Sequence, residues 1–384
     1  MLYKLSDVFD LQMGKTPSRD NNMYWKDGNL PWVSIADLSK SQIYIENSKE
    51  MITNLAAKDT LMKCIPQDTV IMSFKLSLGK TAITRTPLYT NEAIMAFVDK
   101  KVIQIEPKYI YFLFRNIQWG QYTNNAVKGK TLNKKFFSDF QINIPEYIQQ
   151  TKIASILIRI NKILEYKHSL IKAYDALIKS RFIELFGDPV LNEKGWNLTS
   201  LESVCQSIYG GGTPSKKIKE YYMGTIPWVT SKDMKSDIIV DSIEHITQVA
   251  IDNSSTKIIP PESVLIVIRS GILKHTLPVC INKSRVTINQ DLKALVLDER
   301  CKAIYLQYLL KALEKDILSG VRAVTADNLE FNSLKKRKIP IPPINIQIKF
   351  SQMVNQINKL KSDVQKSIDE TQLLMDSLMQ EYFG

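Results

Sequence analysis

The sequence repeats itself at an offset of 197 residues, as from Pro17 to Pro214, and this settles the number of globular units before any secondary structure is read. Leu5 to Leu38 carries Gly14, then Thr16-Pro17-Ser18, then Leu30-Pro31-Trp32-Val33-Ser34 and Asp37. From Leu201 the order returns as Gly212, Thr213-Pro214-Ser215, Ile226-Pro227-Trp228-Val229-Thr230 and Asp233. At the far ends, Ile160-Asn161-Lys162 and Phe186-Gly187 recur as Ile357-Asn358-Lys359 and Phe383-Gly384. Solenoid units are only ~20–50 residues long, so a repeat of this length is a duplicated domain. At 384 residues the chain has room for two domains, each burying its own core. Two like domains in one chain present one kind of surface twice, to a partner that also has two halves.

Each copy divides into a mixed α+β part and one long helix. In the first copy, short apolar runs bounded by Gly, Pro or Asn predict strands at Trp32 to Ile35, Thr69 to Phe74, Ala93 to Val98 and Val102 to Ile105. The second copy answers with Trp228 to Thr230, Val264 to Ile268 and Lys293 to Leu297. A short helix follows each set, near Tyr109 to Ile117 and Tyr305 to Leu313. Residues 149–187 and 346–384 then read as long helices without internal Gly or Pro, and share 11 identities in 39 aligned positions, which makes them one repeated element. Ile153, Leu157, Ile160, Leu164, Ile171, Tyr174, Ile178 and Leu185 keep a heptad seam, interrupted by Lys167 and Arg181. Phe350, Val354, Ile357, Val364, Ile368, Met375, Leu378 and Tyr382 continue it in the second copy. The domain boundaries expected are therefore 1–148, 149–187, 188–345 and 346–384.

Neither helix buries so wide a stripe alone, so the two are expected to pack on each other. Antiparallel pairing would place a pseudo-twofold axis through their middle, with the globular parts at opposite ends facing the same way. Ile156, Ile163, Leu170 and Leu177, with Met353, Leu360 and Leu374, widen the stripe beyond the seam and are the residues expected to meet a partner protein. Core packing accounts for most of the stripe, but a helix of ten turns is longer than one domain of this size needs.

Several local strings invite an enzymatic reading and fail it. Gly14-Lys15-Thr16 ends like a phosphate-binding loop, but Phe9 stands where the first Gly belongs and Gly212 stands where the second copy would need its Lys. Gly210-Gly211-Gly212 lacks the strand, spacing and helix of a dinucleotide fingerprint and reads instead as a turn with positive φ. The Pro-Pro pairs at Pro260 and Pro342 follow Ile, so the Asn-Pro-Pro-aromatic string of a base methylase is missing. His168, His245 and His275 do not pair at ligand spacing. Cys64, Cys205, Cys280 and Cys301 form no Cys-x-x-Cys pair and read as buried thiols in a reducing cytoplasm. No apolar run is long enough to span a bilayer, and Met1 to Asp7 is not a signal peptide.

The basic residues are more informative. Lys plus Arg outnumber Asp plus Glu by 51 to 39, a formal charge of +12 that favours a polyanionic partner. Lys75, Lys80 and Arg85 flank the small-residue loop Ser77-Leu78-Gly79, and Arg269, Lys274 and Arg285 hold the related place around Ser270-Gly271. Such cations beside a Gly suit phosphate contacts, or a guanine edge in the case of Arg. Lys128, Lys130 and Lys134 lie in a second basic loop, with a thinner echo from Arg322 to Asn328. The Thr-Pro-Ser strings are turn formers whose hydroxyls also suit a phosphate or base edge. Trp32 and Trp228 read as core anchors more than as stacking platforms. Asn91-Glu92 and Asn289-Gln290 are either structural loop residues or readers of adenine.

Gly-x-Thr-Pro-Ser, Pro-Trp-Val, a strand with a basic Gly loop, Ile-Pro and a long helix ending in Phe-Gly, all duplicated, together resemble the specificity subunit of type I restriction-modification systems. The resemblance covers essentially the whole chain and rests on order and duplication, because each motif alone is weak. It implies two target recognition domains separated by antiparallel helices forming a coiled-coil spacer, and a bipartite site on double-stranded DNA whose gap the helices set. It implies as partners two modification subunits, carrying S-adenosylmethionine and methylating adenine, and restriction subunits using ATP and Mg²⁺. The chain itself would hold no cofactor and no metal, and would work in the cytoplasm.

On this reading the DNA contacts are expected from Lys15, Thr16, Ser18, Ser34, Lys75, Lys80, Arg85, Lys128, Lys130 and Lys134 in the first copy. Thr213, Ser215, Lys216, Lys217, Lys232, Arg269, Lys274 and Arg322 are their counterparts in the second. Two other classes compete: a scaffold whose globular parts bind protein, and a free-standing DNA-modifying enzyme, which the missing motifs disfavour.

Overall fold

The computed structural model describes residues 1–123, 132–324 and 328–384, with side chains 320–324 left out. The first copy contributes β1 (Leu2–Lys4), β2 (Phe9–Met13), β3 (Leu30–Val33), β4 (Tyr44–Ile45), β5 (Glu50–Ile52), β6 (Val70–Ser73), β7 (Thr81–Thr84), β8 (Tyr89–Thr90), β9 (Ile94–Asp99) and β10 (Gln141–Asn143). The second contributes β11 (Asn197–Ser200), β12 (Cys205–Gly210), β13 (Ile226–Val229), β14 (Ile238–Ile239), β15 (Glu244–Ile246), β16 (Val264–Val267), β17 (Val279–Asn282), β18 (Thr287–Ile288), β19 (Leu292–Leu297) and β20 (Lys338–Ile341). Strand orders 2-9-6-7-4 and 5-3-8 of the first copy recur as 12-19-16-17-14 and 15-13-18, and the pair β1-β10 recurs as β11-β20. The duplication read in the sequence is thus a duplication of topology.

Central strands β6 and β16 are buried at every residue, which is why they read as unbroken apolar runs and not as alternating ones. The expected strand from Val102 to Ile105 does not form. Lys101 takes a left-handed conformation (φ 60°) and donates its N–H to Asp99 Oδ1 at 2.7 Å, so the extended chain ends with β9. The strand expected from Trp32 to Ile35 begins earlier, at Leu30, because Ser34 leaves the sheet to start the short helix Ile35–Leu38. Cys280 and Cys301 are buried and Cys205 half-buried, and burial pushes all three thiols up to about 12. Cys64, expected to be buried, is exposed in the loop that follows the helix Asn54–Asp59.

Short helices Pro107–Asn116 and Ala303–Ala312 precede long helices Tyr147–Phe186 and Ile344–Phe383, each 40 residues and about 60 Å at ~1.5 Å per residue. Gly187 ends the first long helix in the left-handed region (φ 77°), its N–H bonded to Ile183 O at 2.8 Å. Compactness divides the chain into Met1–His168 with Lys366–Gly384, and Ser169–Gln365. Each unit therefore contains one strand framework and half of each long helix.

In both units the helix halves run antiparallel. In the first, Ile153, Leu157, Ile160, Leu164, Ile368 and Met375 are buried, and Phe383 packs on Tyr109 with ring centroids 5.3 Å apart. In the second, Phe182, Phe186 and Phe350 form an aromatic cluster with Tyr305, and Lys361 pairs with Asp175 at 2.5 Å. The interruption of the seam at Lys167 has a specific use. Its ammonium donates to Ser367 O at 2.9 Å, Ser367 Oγ at 2.7 Å and Thr371 Oγ1 at 2.6 Å, a polar contact that fixes register as a lone polar seam residue does in coiled coils. Lys167→Met is expected to cost about 1–2 kcal/mol, the three charged hydrogen bonds being offset by apolar burial. Thermal unfolding of the first unit checks this, and an unchanged midpoint would count against it.

Candidate nucleic-acid interface

The interface is built where strands end together. In the first unit β2 ends at Met13 beside Met95, β6 ends at Ser73 beside Ile94, and the N–H of Asn91 bonds Val33 O at 3.1 Å at the end of β3. The segments leaving these strands, from Gly14, Ser34, Phe74 and Asn91, consequently emerge at one end of the framework. Trp32 locks the first of them: its side chain is buried and its Nε1 donates to Lys15 O at 3.0 Å. Trp228, also buried, donates to Gly212 O at 3.0 Å. The paired tryptophans are core anchors, as expected.

Gly14 and Gly211 lie flat against the turn after β8 or β18. A Cβ on Gly14 would stand 2.1 Å from Thr90 O, and one on Gly211 1.9 Å from Asn289 O. Gly210, Gly211 and Gly212 are not in the positive-φ region, so the turn expected there is replaced, at Gly211 and Gly212, by close backbone approach as the reason for glycine. The next segment is fixed by Asp37 and Asp233. Ser34 donates to Asp37 Oδ2 from its N–H (2.9 Å) and hydroxyl (2.7 Å), and Thr230 to Asp233 Oδ2 at 2.8 and 2.9 Å. Burial raises the Asp37 carboxyl, but its bonds from Ser34 and Lys49 outweigh this and hold it below the usual carboxylate range.

On this frame the first unit gathers Thr16, Ser18, Arg19, Lys75 and Glu92. The Thr16 hydroxyl donates to Glu92, and the Arg19 guanidinium pairs with Glu50 through two bonds while stacking 3.9 Å from the Trp25 ring. Lys75 sits over Phe74 at 5.3 Å, and Lys80 donates to Ser39 Oγ at 2.5 Å. Lys15 is committed in part to the fold, its ammonium capping the carbonyls of Thr60 (2.7 Å) and Leu61 (3.4 Å) at the end of the helix Asn54–Asp59. It also lines, with Lys63 and Lys134, a cationic pocket of about 310 Å³.

The second unit repeats the plan with different chemistry. Thr213, Ser215, Lys216, Lys217 and Lys232 are exposed, and the Thr213 hydroxyl donates to Gln290. Arg269 lies 3.8 Å from Asp291, and Lys274 ends a single 3₁₀ turn, Gly271–Lys274. Gly79 and Gly271 also differ: a Cβ on Gly79 would be 2.8 Å from the Trp119 ring, whereas Gly271 faces open space. The close approach at Gly79 is thus to the protein's own tryptophan.

Arg85 does not join this group. Strands β6 and β7 are antiparallel, so Lys75 and Lys80 border the hairpin connection while Arg85 follows β7 at the opposite end, against Tyr44 (4.4 Å). There it lines a pocket with Lys108, Asn161 and Lys162. Lys128 and Lys130, and the side chain of Arg322, lie outside the described residues. Arg19 and Lys63 carry no local signal in the sequence, because their surroundings come from residues far along the chain, and among the described residues no His, Cys, Asp or Glu cluster suited to a metal occurs. No described helix is long and apolar enough to cross a membrane.

On the helices, Ile163, Leu177, Leu360 and Leu374 are 46%, 43%, 47% and 51% exposed. Ile156 and Leu170 are half-buried, and Met353 packs against the core of its own unit. Ile183 and Leu373 on the same helices are also exposed.

Residues 1–173 and 193–371 match the family described as type I restriction modification DNA specificity domain. The chain belongs to this family. It is 25% identical over 399 aligned residues to the type I restriction enzyme MjaIX specificity subunit of Methanocaldococcus jannaschii, covering 98% of this chain and 90% of that one. It is 35% identical over 163 residues to the EcoR124I/EcoR124II specificity subunit of Escherichia coli, covering 42% and 40%. A solved S subunit from M. genitalium shares the fold at a TM-score of 0.61 and 13% identity, covering 100% of this chain and 96% of that one. A structure solved in work on assembly and conformational transition of a type I restriction-modification system gives 0.64 at 18%, covering 100% and 97%. As a specificity subunit the chain recognises a DNA target and is not itself catalytic, and it assembles with other subunits of its system.

Proposed function

We propose that this specificity subunit recognises a bipartite site on double-stranded DNA, each half-site read by the strand-end loops of one domain, and directs partner subunits to it. The observation that carries this reading is the duplicated frame: two copies of one topology present hydroxyl, cationic and amide side chains from the same loops. Segments 1–148 and 188–345 act as the target recognition domains, and 149–187 and 346–384 as the spacer. Lys75, Lys80, Lys134, Lys216, Lys217, Lys232, Arg269 and Lys274 supply phosphate contacts, while Thr16, Ser18, Thr213 and Ser215 orient the loops on the duplex.

Two modification subunits dock on the exposed apolar stripe of the helices and transfer methyl groups from S-adenosylmethionine to adenine. Restriction subunits using ATP and Mg²⁺ join the same complex, which works in the cytoplasm. Tethering two readers by helices of fixed length raises joint affinity and rejects sites of the wrong gap.

The test is methylation by the chain co-assembled with its modification subunits. Adding one heptad to each helix, at Ser169 and at Lys366, lengthens the spacer by roughly 10 Å and is expected to shift the required gap by about three base pairs. An unchanged gap would sink the ruler. Binding by the complex should also weaken about a thousandfold or more between 50 and 200 mM salt, if six or more phosphates are neutralised. Salt-insensitive binding would favour a protein scaffold instead.

A further inference from the structure

The two copies share one turn and differ at its tip. After β8, Asn91 Oδ1 accepts the N–H of Ala93 at 3.2 Å and Asn91 O accepts the N–H of Ile94 at 3.2 Å. After β18, Asn289 Oδ1 accepts the N–H of Asp291 at 3.2 Å and Asn289 O accepts the N–H of Leu292 at 3.2 Å. The N–H of each Asn is anchored on the neighbouring strand, to Val33 O at 3.1 Å and to Val229 O at 3.0 Å. The side-chain oxygen of each Asn is therefore committed to the turn, and the residue after it, Glu92 or Gln290, is exposed and oriented by a threonine hydroxyl. The main-chain frame is shared while the outward group changes its hydrogen-bonding character, and Ala93 gives way to Asp291, which accepts from Asn289 Nδ2 at 2.9 Å.

We propose that this tip residue reads one base pair of its half-site in the major groove, Glu92 selecting cytosine and Gln290 selecting adenine. The inference rests on the DNA-recognition reading above and assigns the difference between the half-sites to one position. With one carboxylate oxygen holding Thr16, the other oxygen of Glu92 remains an acceptor and matches the N4 amino group of cytosine. Adenine also offers an amino group, but its N7 acceptor stands beside it and repels a carboxylate. Gln290 carries a donor as well as an acceptor, and its amide matches adenine N6 and N7 together. Burial raises the Glu92 carboxyl, but the Thr16 hydroxyl, Lys75 and Arg19 outweigh this, so it is held below the usual range and serves purely as an acceptor near neutral pH.

The experiment uses the chain assembled with its modification subunits and a pool of duplexes randomised across both half-sites, scored by methylation. Glu92→Gln is expected to move the preference at one position of one half-site from cytosine to adenine by tenfold or more. Gln290→Glu should do the reverse in the other half-site. Each substitution places in one turn the residue that the other copy already holds there, so folding is preserved. Unaltered preferences at every position in both variants would overturn the assignment. A wild-type complex with no base preference at all would overturn the DNA-recognition reading itself.

Discussion

Gln347→Leu is expected to lower the stability of the second unit by about 3 kcal/mol, one of the larger losses any single substitution in this chain should produce. Gln347 is fully buried on the first turns of its long helix. Its Oε1 accepts the N–H of Lys302 at 2.9 Å, and its Nε2 donates to Arg300 O at 3.0 Å and Pro342 O at 2.8 Å. Leu fills most of the volume but leaves three backbone groups without partners, each costing about 1–3 kcal/mol, with gained apolar burial offsetting part of the sum. Gln347→Glu should be worse, since a carboxylate would face two carbonyl oxygens. Gln150 occupies the same place in the first unit, bonded to Glu106 N, Gln104 O and Pro145 O at 2.9, 3.0 and 2.9 Å. Urea unfolding followed unit by unit checks the prediction: Gln347→Leu should shift the transition of the second unit and Gln150→Leu that of the first. Unmoved transitions would show that water replaces these bonds at no cost.

Gly211→Ala is the second large effect. Its Cβ would meet Asn289 O at 1.9 Å and Ile288 O at 2.3 Å, both main-chain atoms with no side-chain torsion to relieve the clash. The turn bearing Gln290 must move by more than an ångström, at about 1–3 kcal/mol for the overpacking alone. Selectivity for the half-site read by the second domain should collapse while the other half-site is read normally. Gly14→Ala, facing Thr90 O at 2.1 Å and Asn91 O at 2.3 Å, should produce the mirror phenotype. Selection from the randomised duplex pool separates the two, and full selectivity in both halves of the Gly211→Ala complex would refute the positioning role of the close approach.

The features legible in the sequence are those with a local period. The long helices declare themselves through the apolar repeat, and β6, β9, β16 and β19 through apolar runs between turn residues, because burial there follows from neighbours in the chain. What was not legible depends on partners far away. Gln150 and Gln347 look like any polar residue on a helix, and only the backbone groups that converge on them show why they are amides. Arg85 and Lys75 look equivalent beside one loop, yet the hairpin direction sends them to opposite ends. The glycines before Thr213 suggest a left-handed turn, whereas it is an opposing carbonyl that demands Gly211. For the interface, the Thr-Pro-Ser loops were visible and the exposed tip residues were named, but the sequence could not separate the structural Asn from the outward Glu or Gln.

The division of each long helix between two units also bears on how the protein is made. The first unit draws on residues 1–168 and on residues 366–384, where Phe383 covers Tyr109. During translation its strand framework leaves the ribosome early, but the apolar face of residues 147–168 must wait until the whole second copy has followed. The domain begun first is the one finished last. A nascent chain thus carries an uncovered stripe through most of its synthesis, a window in which a chaperone, or another nascent chain of the same kind, competes with the residues destined to close it.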